Sequence, residues 1–139
     1  MIIGYTTGVF DLFHVGHVNL LQRAKSMCDK LIVGVSTDEL VSYKHKKPVI
    51  SFLERVEVVR SCKYADLVVP QYNMDKIEAF ERYKFNMMFV GDDWFNTSKW
   101  AEIETSMNKR GVRLIYLPYT KTTSSTLINN TLEQLRLVD

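Results

Sequence analysis

The segment His14-Val15-Gly16-His17 sets two imidazoles three residues apart around a glycine. A neutral imidazole donates one hydrogen bond and a protonated one donates two, more strongly, so a pair that converges suits an anion. Its surroundings sharpen this. Ile2–Thr6 is short, apolar and β-branched, runs into Gly8 and reads as a buried strand entering a loop. From Val18 to Met27, Leu20, Leu21, Ala24 and Met27 recur at helical spacing. The histidines thus fall where a strand passes into a helix N-terminus, whose unpaired N–H groups and positive dipole end attract phosphate. Gly8 and Gly16 are expected to supply unusual dihedrals and close backbone approach. Taken alone, the pair also fits two unrelated surface residues or half of a metal site. The metal reading lacks ligands. The remaining histidine, His45, has lysine neighbours, and Cys28 and Cys62 are isolated, without Cys-x-x-Cys spacing. No protein-held metal is expected, and both cysteines read as small buried apolar residues.

Three further segments carry polar chemistry. Lys44-His45-Lys46-Lys47 gathers positive charge, either to hold phosphate or as a solvated basic loop. Gly91-Asp92-Asp93-Trp94 is a sharp turn whose acids can face a ligand or cap a helix, and whose tryptophan can cover a ligand or fill the core. Tyr119-Thr120-Lys121-Thr122-Thr123-Ser124-Ser125-Thr126 ends in hydroxyls at a helix start, where they can hold phosphate, cap the helix, or do both. Asp11, in the histidine loop, can orient an imidazole or help hold Mg²⁺.

The elements that must position these segments follow from periodicity. Strands are expected over Ile2–Thr6, Leu31–Ser36, Asp66–Pro70 (stopped by the proline), Met87–Val90 and Val112–Leu117. Helices are expected over Val18–Met27, from Ser51 through Arg60 with a Ser51–Glu54 capping box, over Met74–Tyr83 and Ser98–Lys109, and from Ser124 or Ser125 onward. Ser36-Thr37-Asp38 reads as a turn. Near-continuous apolar strands alternating with helices predict an α/β fold, a single-domain doubly wound (Rossmann-like) parallel sheet of about five strands over residues 1–139. In such sheets ligands bind beyond the carboxyl ends of the strands. Thr7–His17, Thr37–Lys47, Gly91–Trp94 and Tyr119–Thr126 all fall there, which predicts one site.

Composition excludes several classes. A net charge of +2 gives no bulk attraction to nucleic acid or anionic membrane. The lysine loop lacks the broad basic face and interleaved aromatics of a nucleic-acid binder. No apolar run approaches the ~20 residues of a membrane helix, and the chain opens on a strand rather than a leader pattern. The expectation is a soluble, cytoplasmic protein.

With these motifs in order, the chain resembles the cytidylyltransferase family of the HxGH nucleotidyltransferase superfamily, nearest to its glycerol-3-phosphate branch. The likeness covers nearly the whole chain. It rests on Gly8-Val9-Phe10-Asp11 before the histidines, Ser36-Thr37-Asp38-Glu39, the lysine cluster, Tyr64-Ala65-Asp66 leading to Pro70, Gly91-Asp92-Asp93-Trp94 and Ser124-Ser125-Thr126. The resemblance implies transfer of CMP from CTP, accompanied by Mg²⁺, to a phosphorylated small alcohol. It implies catalysis by His14, His17, Lys44 and Lys46, with Lys44 and Lys76 on the acceptor phosphate. Nucleotide contacts would come from Gly8, Val9, Phe10, Asp11, His14, Gly16, His17, Lys46, Gly91, Asp93, Tyr119, Thr120, Ser124, Ser125 and Thr126. A homodimer is implied too, with Lys63–Asp66 in its interface, and a role in cell-surface polymer or lipid precursor synthesis.

The chain departs from the family pattern at Tyr119, where an arginine is usual, at Thr122 for a glycine and at Lys63 for an arginine. Tyrosine cannot supply a fixed positive fork, and Lys121 is a candidate to replace that charge. Glycerol 3-phosphate is the expected acceptor. Ethanolamine phosphate, choline phosphate and another polyol phosphate stay open, as do an adenylyltransferase and a non-catalytic nucleotide-sensing module.

Overall fold

The structure, a computed structural model, describes residues 1–43, 47–91, 97–118 and 124–138. Five parallel strands form one sheet: β1 (Ile3–Gly8), β2 (Lys30–Ser36), β3 (Leu67–Gln71), β4 (Met87–Gly91) and β5 (Arg113–Leu117), in the order β3-β2-β1-β4-β5. The helices are α1 (Val15–Ser26), α2 (Asp38–Tyr43), α3 (Phe52–Arg60), α4 (Lys76–Tyr83), α5 (Ser98–Lys109) and α6 (Ser125–Val138). The doubly wound sheet is therefore as expected.

Side-chain alternation explains why both faces are covered. In β2, Leu31, Val33 and Val35 join Leu21, Ala24 and Val59 in one buried cluster. Ile32 points the other way, with Tyr5, Phe85, Met88, Trp100 and Met107 in a second cluster. Gly4 lets the layers meet. A Cβ there would stand 2.7 Å from the Phe89 ring and 2.8 Å from the Cys28 sulfur. Cys28 and Cys62 are free thiols, each half-buried rather than fully buried as expected.

Local differences from the sequence reading have physical reasons. α1 begins at Val15, so it takes in Gly16 and His17. Asp38 opens the short helix α2, where a turn was expected. Ser51 precedes α3 but makes no side-chain capping bond, so the Ser51–Glu54 box does not form. Asp38 instead reaches across, its Oδ2 accepting from the Phe52 amide at 3.2 Å. β3 runs through Pro70 to Gln71 rather than stopping at the proline. It is an edge strand, where a missing N–H costs little. No helix among the described residues is long and apolar enough to cross a membrane.

The strand order reverses direction at β1 and β4, which opens a crevice beyond their carboxyl ends. The histidine loop follows β1, Gly91 ends β4, and α4 begins nearby with Lys76.

Candidate active site

The loop from Val9 to Phe13 carries the chain from β1 to α1, and two of its residues are left-handed: Phe10 (φ 55°) and Leu12 (φ 49°). Such backbone costs a non-glycine residue on the order of 1–3 kcal/mol. The expected glycines do not take this role. Gly8 ends β1 and Gly16 lies inside α1. What Gly8 supplies is space, since a Cβ there would stand 3.0 Å from the Phe10 ring. Phe10 is 3% exposed, and its burial offsets part of the strain.

At the start of α1 the two histidines cap each other. The Gly16 amide donates to His14 Nδ1 at 3.0 Å, and the His14 amide donates to His17 Nδ1 at 3.1 Å. The amides of His17 and Val18 both donate to the His14 carbonyl. The sequence had left the first-turn amides to meet an anion directly; the histidine side chains take part of that inventory themselves. A consequence follows for proton placement. An Nδ1 that accepts carries no proton, so each neutral ring keeps its proton on Nε2. Both rings therefore present an Nε2–H donor, and their centroids are 4.0 Å apart.

His17 is held by its neighbours. Phe13 stacks on it with centroids 5.1 Å apart, and the Phe10 ring meets it edge-on at 5.4 Å. Burial pushes the His17 pKa down to about 4, helped by His14 and opposed by the Asp11 carboxylate. Burial also lowers the His14 pKa. Both imidazoles are neutral at physiological pH, so the pair offers directed dipolar donors rather than positive charge.

Asp11 has a structural employment. Its Oδ2 accepts from the Val49 amide at 2.8 Å and its Oδ1 from the Ile50 amide at 2.9 Å. Its backbone carbonyl accepts from the Ser125 hydroxyl. Ser124 Oγ accepts from the Leu127 amide at 3.0 Å, as a helix cap does. Ser125 is thus joined directly to the histidine loop, while the Thr126 side chain is exposed.

Lys76 is the first residue of α4, after Asp75, whose carboxylate caps the helix through the amides of Ile77 and Glu78. It is 8% exposed. Its Nζ lies 3.5 Å from Thr7 Oγ1 at the end of β1 and 5.9 Å from the centre of the Trp100 ring. This puts a buried ammonium at the crevice beside the histidine loop. Lys44, Lys46, Asp93, Tyr119 and Thr120 lie outside the described residues, as do Asp92, Trp94 and Lys121. Gly91 ends β4 opposite Leu117 of β5.

Arg55 went unnoticed in the sequence. Its side chain is fully buried, and it donates to the carbonyls of Ile50, Val9 and Ser36 and to Asp38 Oδ1, at 2.7–2.9 Å. The guanidinium holds the Asp38 carboxyl below the usual carboxylate range, aided by the Phe52 amide. A signal was present: Phe52, Arg55, Val56 and Val59 recur at the spacing of one helix face, so Arg55 sits on the apolar stripe. Among the described residues no group of three or more His, Cys, Asp or Glu could hold a metal ion.

The profile of the Cytidylyltransferase-like family matches residues 5–131. The glycerol-3-phosphate cytidylyltransferase of Staphylococcus aureus (strain NCTC 8325 / PS 47) is 37% identical over 128 residues, 91% of this chain and 92% of that one. The protein of the same name from Bacillus subtilis (strain 168) is 36% identical over 124 residues, 88% and 91% of the two chains. The crystal structure of the lipopolysaccharide core biosynthesis protein from Thermoplasma volcanium GSS1 superposes with a TM-score of 0.73 at 26% identity, covering 88% of this chain and 99% of that one.

The lowered histidine pKa values give a signed pH dependence. An unfolded histidine titrates near 6.5 and His17 near 4, so below pH 6.5 the unfolded chain binds more protons. Stability contributed by the neutral ring is complete above 6.5 and is lost as pH falls towards 4. Thermal unfolding followed from pH 8 to pH 4 should show this decline. His17→Asn, which keeps an acceptor near the Nδ1 position without a titratable ring, should flatten it.

Proposed function

Because the chain belongs to the cytidylyltransferase-like family, we propose that it transfers CMP from CTP to glycerol 3-phosphate, giving CDP-glycerol and pyrophosphate. The observation that carries the reading is the pair of Nε2–H donors fixed side by side at a helix start. The choice of acceptor is supported by the glycerol-3-phosphate cytidylyltransferases that align along about nine-tenths of the chain.

A phosphate oxygen of the acceptor attacks the α-phosphorus of CTP. That P–O bond forms while the bond to the bridging β-phosphate oxygen breaks, and pyrophosphate leaves with the electron pair. The nucleophile is already anionic, so no base is required, and the neutral histidines have no proton to surrender cheaply. Their task is to donate hydrogen bonds to the α-phosphate oxygens as charge shifts in the transition state. Lys44 and Lys46 supply the positive charge that these neutral rings do not, and Lys76 binds the acceptor phosphate from β1's end. In this reading Gly91 and Asp93 serve the base and ribose, and Tyr119, Thr120, Ser124, Ser125 and Thr126 serve the β- and γ-phosphates, as the family resemblance implies. Mg²⁺ would arrive with the triphosphate and neutralise part of its charge; Asp11, whose two oxygens each accept one backbone amide, would keep lone pairs with which to assist.

We also place the protein in the cytoplasm, where CTP is made, and read it as a homodimer. The dimer reading is supported by the exposed apolar side chains Leu53, Val58 and Leu67, which flank the exposed Lys63 in sequence. Asp66 belongs to the chain's own frame, accepting from Lys25 Nζ at 2.7 Å and the Leu31 amide at 2.8 Å. Light scattering at assay concentration should return the mass of two chains; a single-chain mass would remove the dimer.

Pyrophosphate release should be measured with CTP and ATP across glycerol 3-phosphate, ethanolamine phosphate, choline phosphate and other polyol phosphates. The expected pair is CTP with glycerol 3-phosphate. Turnover with ATP and none with CTP would overturn the nucleotide, and CTP binding without turnover on any acceptor would favour a sensor. His17→Asn keeps the capping acceptor but ends short of the Nε2 position. It should fold and lose ~10²–10³-fold in kcat, the usual effect of removing one such donor. Near-normal turnover would take His17 out of the reaction.

A further inference from the structure

We propose that Asp11 and Arg55 are positioning residues that tie Asp38 on one side and Val49 and Ile50 on the other to the histidine loop, so that the loop and its two imidazoles are held in one fixed arrangement. Residues 44–47 lie in sequence between Asp38 and Ile50, and both of those ends are tied to the loop that carries the histidines. On the leading side, Arg55 Nη2 donates to Asp38 Oδ1 at 2.7 Å while Nη1 donates to the carbonyls of Val9 and Ser36 at 2.7 and 2.8 Å. On the trailing side, Arg55 Nε donates to the Ile50 carbonyl at 2.9 Å. The amides of Val49 and Ile50 donate to the two oxygens of Asp11. Asp11 and Val9 belong to the same loop, so the histidine segment is gripped at two points only two residues apart.

The choice of residue types fits this work. A planar guanidinium can serve several acceptors in fixed directions, which an ammonium on a flexible stem cannot. Arg55 is 1% exposed, with four hydrogen bonds directed to three separate stretches of chain. A two-oxygen carboxylate can accept one hydrogen bond from each of two successive amides, and an asparagine in its place can accept only through one oxygen. Neither group needs to touch the nucleotide. Their effect passes through the groups that do.

The kinetic part of the test rests on the transferase reading, and the exchange part does not. Asp11→Asn and Arg55→Lys should each lower kcat about 10- to 100-fold with both KM values within about three-fold, as expected when catalytic groups are misplaced rather than binding lost. If Asp11 acts by holding the histidine loop, Asp11→Asn in a His17→Asn background should cost less than about three-fold. Multiplicative losses, or a wild-type kcat in Arg55→Lys measured well below its Tm, would overturn the proposal. Amide hydrogen exchange should show Asp11→Asn losing protection at Val49 and Ile50 and also at Gly16 and His17. Loss confined to residues 49 and 50 would reduce Asp11 to a local brace and overturn the coupling. If the wild type turns over no acceptor, the transferase reading fails while this exchange comparison still decides the bracket.

Discussion

The hydrogen bonds that the His14 and His17 rings accept from the backbone at the start of α1 constrain the loop around them. Each Nδ1 is spent on a backbone amide of α1's first turn, which fixes the tautomer and aims the remaining Nε2–H away from the helix. A helix start ordinarily offers an anion its own amides. Here the amides of His14 and Gly16 are satisfied inside the turn, and the donors reappear on the outer edge of two rings. The reach of the site grows by roughly the width of an imidazole. This arrangement works only while both rings stay neutral, because a protonated Nδ1 can no longer accept. The aromatic packing of Phe10 and Phe13 on His17 keeps it so.

That neutrality determines what the rest of the site has to contribute. Two neutral donors give direction but little net field, so positive charge in the crevice has to come from other side chains. The buried Lys76 ammonium already stands at the end of β1. The left-handed backbone at Phe10 and Leu12 belongs to the same design. The chain must turn sharply to bring the imidazoles over the crevice, and burial of Phe10 helps to hold the turn.

Much of this was legible in the sequence because its causes are local. Short, β-branched apolar runs such as Leu31–Val35 fit strands covered on both faces, and the strand–histidine–helix order set the site at the sheet's carboxyl edge. Family likeness then supplied roles that spacing alone could not. What escaped was non-local. Nothing near Asp11 announces that its partners are the amides of Val49 and Ile50, and the absence of a Ser51–Glu54 box depends on Asp38 arriving from another element. Arg55 was hidden for a different reason: a charged residue in a short amphipathic helix is ordinarily solvated. Its place on the Phe52–Val59 stripe conflicts with that default. α2 was missed because six residues opening with acids carry too little pattern to distinguish helix from turn.

Pro70 lengthens no ladder on its outer side, and it also shapes how copies of this protein could meet. The Gln71 carbonyl accepts from the Thr37 amide, so Gln71 faces inward and the alternation of a parallel strand turns Pro70 to the open edge. That edge therefore lacks a donor at one of the two outward-facing positions of its short run. A second chain has too few regularly spaced groups there to continue the sheet. Contact on this flank is thereby steered toward side chains, and the same gap blunts the edge as a template for further strands.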